Sequence, residues 1–195
     1  MGSQRRALRR IGQTSSRLPG AAGLTGWGAA AAVLLALAGC TAPTPAALPP
    51  AAVQLDYDPM RAAIRGAADA FAYPETLANQ PREAAIAVAQ LEFLAVEMML
   101  PRHNLEFSGI IAPGLQAARH EVRAWLGVPQ AAAPQAVIDA LTANPPALSQ
   151  PALFTAGPEE TLRRLSAMPR LPQANTATAA ARQELEFGPP DYEVR

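Results

Sequence analysis

Glu97, Arg102, His103 and Glu106 lie within one ten-residue stretch, at the exit of a long apolar segment, and combine a histidine with two carboxylates and a guanidinium. A histidine between two carboxylates can share a proton or ligate zinc. The spacing is not His-Glu-x-x-His, and the only other histidine, His120, falls opposite the Val122 and Trp125 face of its own helix. The simpler reading has Arg102 capping the end of the preceding helix or pairing with an acid. Ser108, close by, has a nucleophile's hydroxyl but no Gly-x-Ser-x-Gly elbow, and with Gly109 behind it suits a turn or a helix cap better. Glu83, Gln90 and Glu97 recur every seventh residue and so form one stripe on a helix. The stripe could be a polar groove or carboxylates poised by partial burial, but the solvated edge of a half-exposed helix explains it more simply. Trp125 reads as a core residue, with a partner-binding hot spot as the alternative.

The rest of the chemical inventory is thin. The chain has no lysine, which excludes Schiff-base chemistry and a phosphate-loop lysine. Its one cysteine excludes haem attachment through Cys-x-x-Cys-His, and glycine-rich phosphate loops are absent. We assign no catalytic residue, no metal and no dissociable cofactor from sequence, and expect a non-enzyme. A hydrolase built on His103 ranks third among the readings below.

Cys40 is a thiol without a disulfide partner, and its surroundings are ordered. Arg5, Arg6, Arg9, Arg10 and Arg17 precede it with no acidic residue among them. Residues 24–38 then carry no charge and end in a dense apolar core, Ala29 to Leu37. Such a run is short for a spanning helix, which needs about 20 residues. Leu37-Ala38-Gly39-Cys40 closes it. Basic segment, apolar core and this tetrapeptide together resemble the signal peptide and lipobox of bacterial lipoproteins, over about residues 1–41. The resemblance implies cleavage before Cys40, a diacylglyceryl group on its sulfur and an acyl chain on its new amino group. It implies a bacterial envelope protein, lipid-anchored with its domain in the periplasm. In that family an Asp after the cysteine retains the protein at the inner membrane; Thr41 stands there instead, which favours the outer membrane. An uncleaved anchor with an incidental thiol fits poorly with Leu-Ala-Gly-Cys followed at once by a Pro/Ala-rich stretch. Arg5-Arg6-Ala7-Leu8-Arg9 half-matches a twin-arginine export signal but lacks its large apolar pair, so ordinary secretion is preferred.

The zero net charge of the whole chain hides an asymmetry. All 16 acidic residues follow Cys40, whereas five of the 16 arginines precede it, so the part beyond Cys40 carries a net −5. An acidic domain argues against nucleic acid as a partner. The 155 residues after Cys40 suffice for one core, and much of their apolar fraction is alanine, which promotes helix while burying little area.

The elements that must position these side chains are helices punctuated by proline. Residues 41–53, rich in Pro and Ala, read as an extended spacer holding the domain ~30 Å or more from the lipid. Asp58-Pro59 opens a first helix, with Met60, Ile64, Ala67 and Phe71 on one face, and Tyr73-Pro74 closes it. Pro81 to Leu100 is apolar around most of its circumference and should be the central helix, ended by Pro101. A third helix is expected from about Pro113 to Leu126 with Gly127 as its left-handed stop, a fourth from Pro134 to Ala143, a fifth after Gly157-Pro158, and a last from about Asn175 to Phe187. No segment alternates like a strand.

The sequence thus predicts an all-α, compact bundle of five to six helices. Its parts are a signal peptide (1–39), a lipidated Cys40 with a tether (40–53), a helical domain (54–188) and a disordered tail (189–195). The expected function is that of a membrane-anchored adaptor or structural module with an envelope protein as partner. The alternative is a small-ligand binder with a pocket lined by Phe93, Met98, Met99 and Trp125. Candidate binding residues are Glu97, Arg102, His103, Glu106 and Trp125.

Overall fold

Proline opens six of the seven helices among the described residues, because its fixed φ suits the first helical position and its missing N–H is not needed there. The structure, a computed structural model, describes residues 44–53, 58–103 and 106–190. Cys40, the lipobox and everything before them lie outside the described residues, as does the tail from 191. The helices are α1 (Pro50–Val53), α2 (Pro59–Ala72), α3 (Pro81–Glu97), α4 (Ile111–Leu126), α5 (Pro134–Thr142), α6 (Pro158–Ser166) and α7 (Pro172–Phe187). Short 3-10 turns at Pro74–Leu77 and Pro101–His103 flank α3. Among the described residues there is no strand, and the fold is an all-α bundle of six substantial helices and one single turn.

The central helix is the expected one. Every residue of α3 from Ala84 to Glu97 is buried, and α2, α4, α5 and α6 all pack on it, while α7 closes the bundle against α2 and α4. Alanines at 63, 67, 84, 85, 89 and 95 lie in the shared core and let the helix axes approach closely. Leu94, Leu115, Ile138, Leu141 and Leu165 fill the space between.

Three helix ends differ from the sequence expectation. α3 stops at Glu97 rather than Leu100, because the ring of Pro101 is incompatible with a helical turn beneath it. The chain tightens there instead, with the Met99 and Leu100 amides donating to the Val96 and Glu97 carbonyls. α4 begins at Ile111, two residues before Pro113, which sits harmlessly in a first turn whose amides have no intrahelical acceptor. α7 begins at Pro172; its first turn is capped from outside, the Ala174 amide donating to Glu121 Oε2 at 2.9 Å. The Asp58 cap, its side chain accepting the Met60 amide, and the left-handed Gly127 stop (φ 82°) are formed as expected.

Residues 44–53 are not a free spacer. The Ala46 amide donates to Glu97 Oε1 at 3.0 Å. Gln135 grips the next residue twice, accepting the Ala47 N–H at 2.8 Å and donating to its carbonyl at 3.1 Å. Gln90 Nε2 donates to the Ala52 carbonyl at 2.8 Å, and the Ala52 side chain is fully buried. Residues 44–49 have no regular structure and lead into the single turn of α1; three side chains far along the chain make the segment a docked strap, running antiparallel to α3 from Glu97 towards Gln90.

Candidate functional site

The stripe at 83, 90 and 97 is not a solvated edge at its second and third positions. Gln90 and Glu97 are 4% and 2% exposed, because the strap lies over them and each meets its backbone. Glu83 remains half-buried at the start of α3. A buried amide and carboxylate need partners, and here they find peptide groups of the strap, the Ala52 carbonyl and the Ala46 N–H, the latter at a position where proline could not serve. The recognition is of main chain rather than of side chain.

The cluster around Glu97 is brought together. Arg102 donates a charge-assisted hydrogen bond to Glu97 Oε2, the oxygen not used by Ala46. Arg102 Nε lies 3.1 Å from His103 Nε2 and can only donate, so that ring nitrogen is the acceptor. The proton of the neutral ring therefore sits on Nδ1, which faces Glu106 Oε2 at 3.4 Å. His103 Nε2 is 4.0 Å from Glu97 Oε2. Both oxygens of Glu97 are thus committed, one to the strap and one to Arg102. Among the described residues no three His, Cys, Asp or Glu side chains are grouped so as to hold a metal ion.

Ser108 has a partner that sequence reasoning missed. Glu184 of α7 accepts both the Ser108 hydroxyl (2.5 Å) and the Ser108 amide (2.7 Å), clasping the approach to α4. His103 and Ser108 share the wall of a cleft of about 140 Å³ with Met98, Phe107 and Ile111, but each directs its hydrogen bonds elsewhere. Nothing in the sequence near Glu184 signals the clasp, since it joins residues 76 positions apart.

A second missed feature is a buried ion pair. Arg123 of α4 meets Glu92 of α3 through two hydrogen bonds, of 2.6 and 2.7 Å, with both side chains almost fully buried. Its remaining nitrogen donates to the carbonyls of Pro129, Gln130 and Ala132, so one guanidinium organises the whole connection from α4 to α5. One turn earlier, Arg119 has its pKa lowered, first by burial and then by the neighbouring Arg123 charge, with Glu92 opposing. The signal available in sequence was Arg123 itself, a cation on the apolar face between Val122 and Leu126.

Trp125 packs, half-buried, against the core, and its carbonyl accepts a 2.7 Å hydrogen bond from Arg164. The four residues expected to line a pocket between α3 and α4 stand in different surroundings. Phe93 belongs to the close-packed core, Met99 is exposed, and the small cleft that Met98 lines includes neither of them nor Trp125.

The two most exposed large apolar side chains among the described residues meet elsewhere. Ile110 is 64% and Phe187 82% exposed, and both line a groove of about 460 Å³ between the start of α4 and the end of α7, with Ala180, Pro189 and Pro190. Glu184, which clasps Ser108, forms part of its wall. No described helix is long and apolar enough to cross a membrane. Comparison with protein-family models, curated proteins and solved structures finds no match to this chain.

Proposed function

We propose that the chain is a lipid-anchored bacterial envelope protein whose helical domain is a non-enzymatic interaction module. Its anchor is Cys40, acylated on sulfur and nitrogen, and its docking face is the groove bearing Ile110 and Phe187. One observation supports the module over an enzyme. The side chains with chemical potential are committed to holding the fold, whereas two large apolar side chains stand in water on one groove. Exposed apolar groups clustered on a groove mark a protein contact more often than a reaction centre. The partner is another envelope protein, and the membrane is reached through the lipid.

A photo-crosslinking residue at position 187, compared with one at Glu75, tests this in intact envelopes. A discrete adduct at 187 that disappears in Ile110→Asp supports the module. Equal, diffuse labelling at both positions contradicts it.

A further inference from the structure

The lipid anchor and the docked strap, taken together, limit how the domain can stand on a membrane. The first strap residue fixed to the domain is Ala46, held by Glu97 at the C-terminal end of α3, with Gln135 holding Ala47 beside it. Only residues 41–45 separate Cys40 from Ala46. Six peptide steps span at most about 22 Å when fully extended. The 17 residues of α3 alone are about 25 Å long. A domain attached at the Glu97 end of α3 therefore cannot present the opposite end, where the turn Pro74–Leu77 leads into α3, to the same bilayer.

We propose that the domain is held close to the phospholipid headgroups with the Glu97 end of α3, rather than the Pro74–Leu77 end, turned to the lipid. This rests on the reading of Cys40 as lipidated. The surface brought to the headgroups carries Met99, 50% exposed, and Arg102, whose side chain is 55% exposed. A thioether can enter the headgroup layer and a guanidinium can meet phosphate. Glu106 and Asp139, the latter bonded to Gln135, stand nearby and offset the arginine. The orientation accordingly comes from the covalent path and the strap's hydrogen bonds, not from bulk attraction, and it should withstand added salt. The strap also changes what the anchor does: a free spacer through residue 53 would let either end of the domain meet the bilayer, whereas docking from Ala46 leaves too short a leash for the far end to do so.

The test uses the full-length protein, exported and processed in cells and reconstituted into phosphatidylcholine vesicles containing a headgroup-nitroxide lipid. A fluorophore is placed on Met99→Cys or on Glu75→Cys, with Cys40 occupied by its lipid. Quenching should be several-fold stronger at 99 than at 75 and unchanged by salt. Gln135→Ala, which removes both grips on Ala47 from a side chain outside the core, should narrow that difference, and adding Glu97→Gln should narrow it further. Mass analysis of the Cys40 peptide separates the two claims. Lipid on Cys40 with equal quenching at 99 and 75 overturns the orientation alone. An unmodified Cys40 overturns the lipoprotein reading and the orientation with it.

Discussion

Gly66 of α2 and Gln90 of α3 are matched so closely that a β-carbon at 66 would stand 2.4 Å from Gln90 Oε1. The space left by the absent side chain is where the Gln90 amide lies as it reaches the Ala52 carbonyl. A glycine in mid-helix ordinarily costs about 1 kcal/mol relative to alanine. Here it admits the side chain that seats the strap.

Gly66→Ala should therefore destabilise, by about 1–3 kcal/mol, although helix propensity alone favours it. It should also speed hydrogen exchange across residues 46–53. Adding Gln90→Ala should recover much of the stability without restoring the strap, a coupling that a double-mutant cycle in denaturant measures. A Gly66→Ala protein more stable than the parent would refute this account of the contact.

Arg123→Met should cost about 3–5 kcal/mol in urea unfolding, because it leaves the Glu92 carboxylate buried without its countercharge. Glu92→Leu combined with Arg123→Met should cost less than that single change. It should still loosen the connection from α4 to α5, whose carbonyls at 129, 130 and 132 lose their shared donor. A double variant less stable than Arg123→Met would show that the stranded Glu92 charge is not what destabilises the single variant.

Glu160 gives the clearest dependence on pH. Hydrogen bonds from Arg163 and then Arg164 hold its carboxyl at about 2, below its ordinary 4.5. A depressed carboxylate pKa stabilises the fold above the unfolded value and loses that contribution as pH falls through the folded one. The gap in Tm between parent and Glu160→Gln should be constant near neutrality, shrink from about pH 4.5 and be gone near pH 2. Its size will be small, since the carboxylate is partly solvated. A gap that grows on acidification would contradict this assignment.

Glu184→Gln should weaken the clasp on Ser108 and cost about 1–3 kcal/mol. Because Ile110 follows two residues later, the variant should also reduce crosslinking from position 187 more than a change of equal stability far from the groove. Faster exchange of the Ser108 amide, read by NMR, would report the loosening directly, and protection equal to the parent's would count against the clasp.

Six helices were legible because proline and glycine mark their limits, and α3 because its apolar residues run all the way round it. The starts of α4 and α7 lie two and three residues earlier than the sequence suggests, since Pro113 and Asn175 look like opening residues yet lie inside helices that begin at Ile111 and Pro172. The spacing of Gln90 and Glu97 was visible, but not that they are covered. A stripe on an otherwise apolar helix looks the same whether water or a strap lies over it. The strap is held by residues 38 to 88 positions away, and only the fold brings them to it. Arg123 and Glu184 escaped for the same reason: each acts through a partner far along the chain, Glu92 on α3 and Ser108 in the approach to α4.

Cys40 carries the functional reading, and the N-terminal peptide of the protein recovered from cell envelopes tests it most directly. Mass spectrometry should find a chain beginning at Cys40 with a diacylglyceryl group and an N-acyl chain, and Cys40→Ser should leave the chain unprocessed and without lipid. An unmodified thiol, or a Cys40→Ser protein processed and membrane-bound like the parent, would contradict a lipid-anchored module.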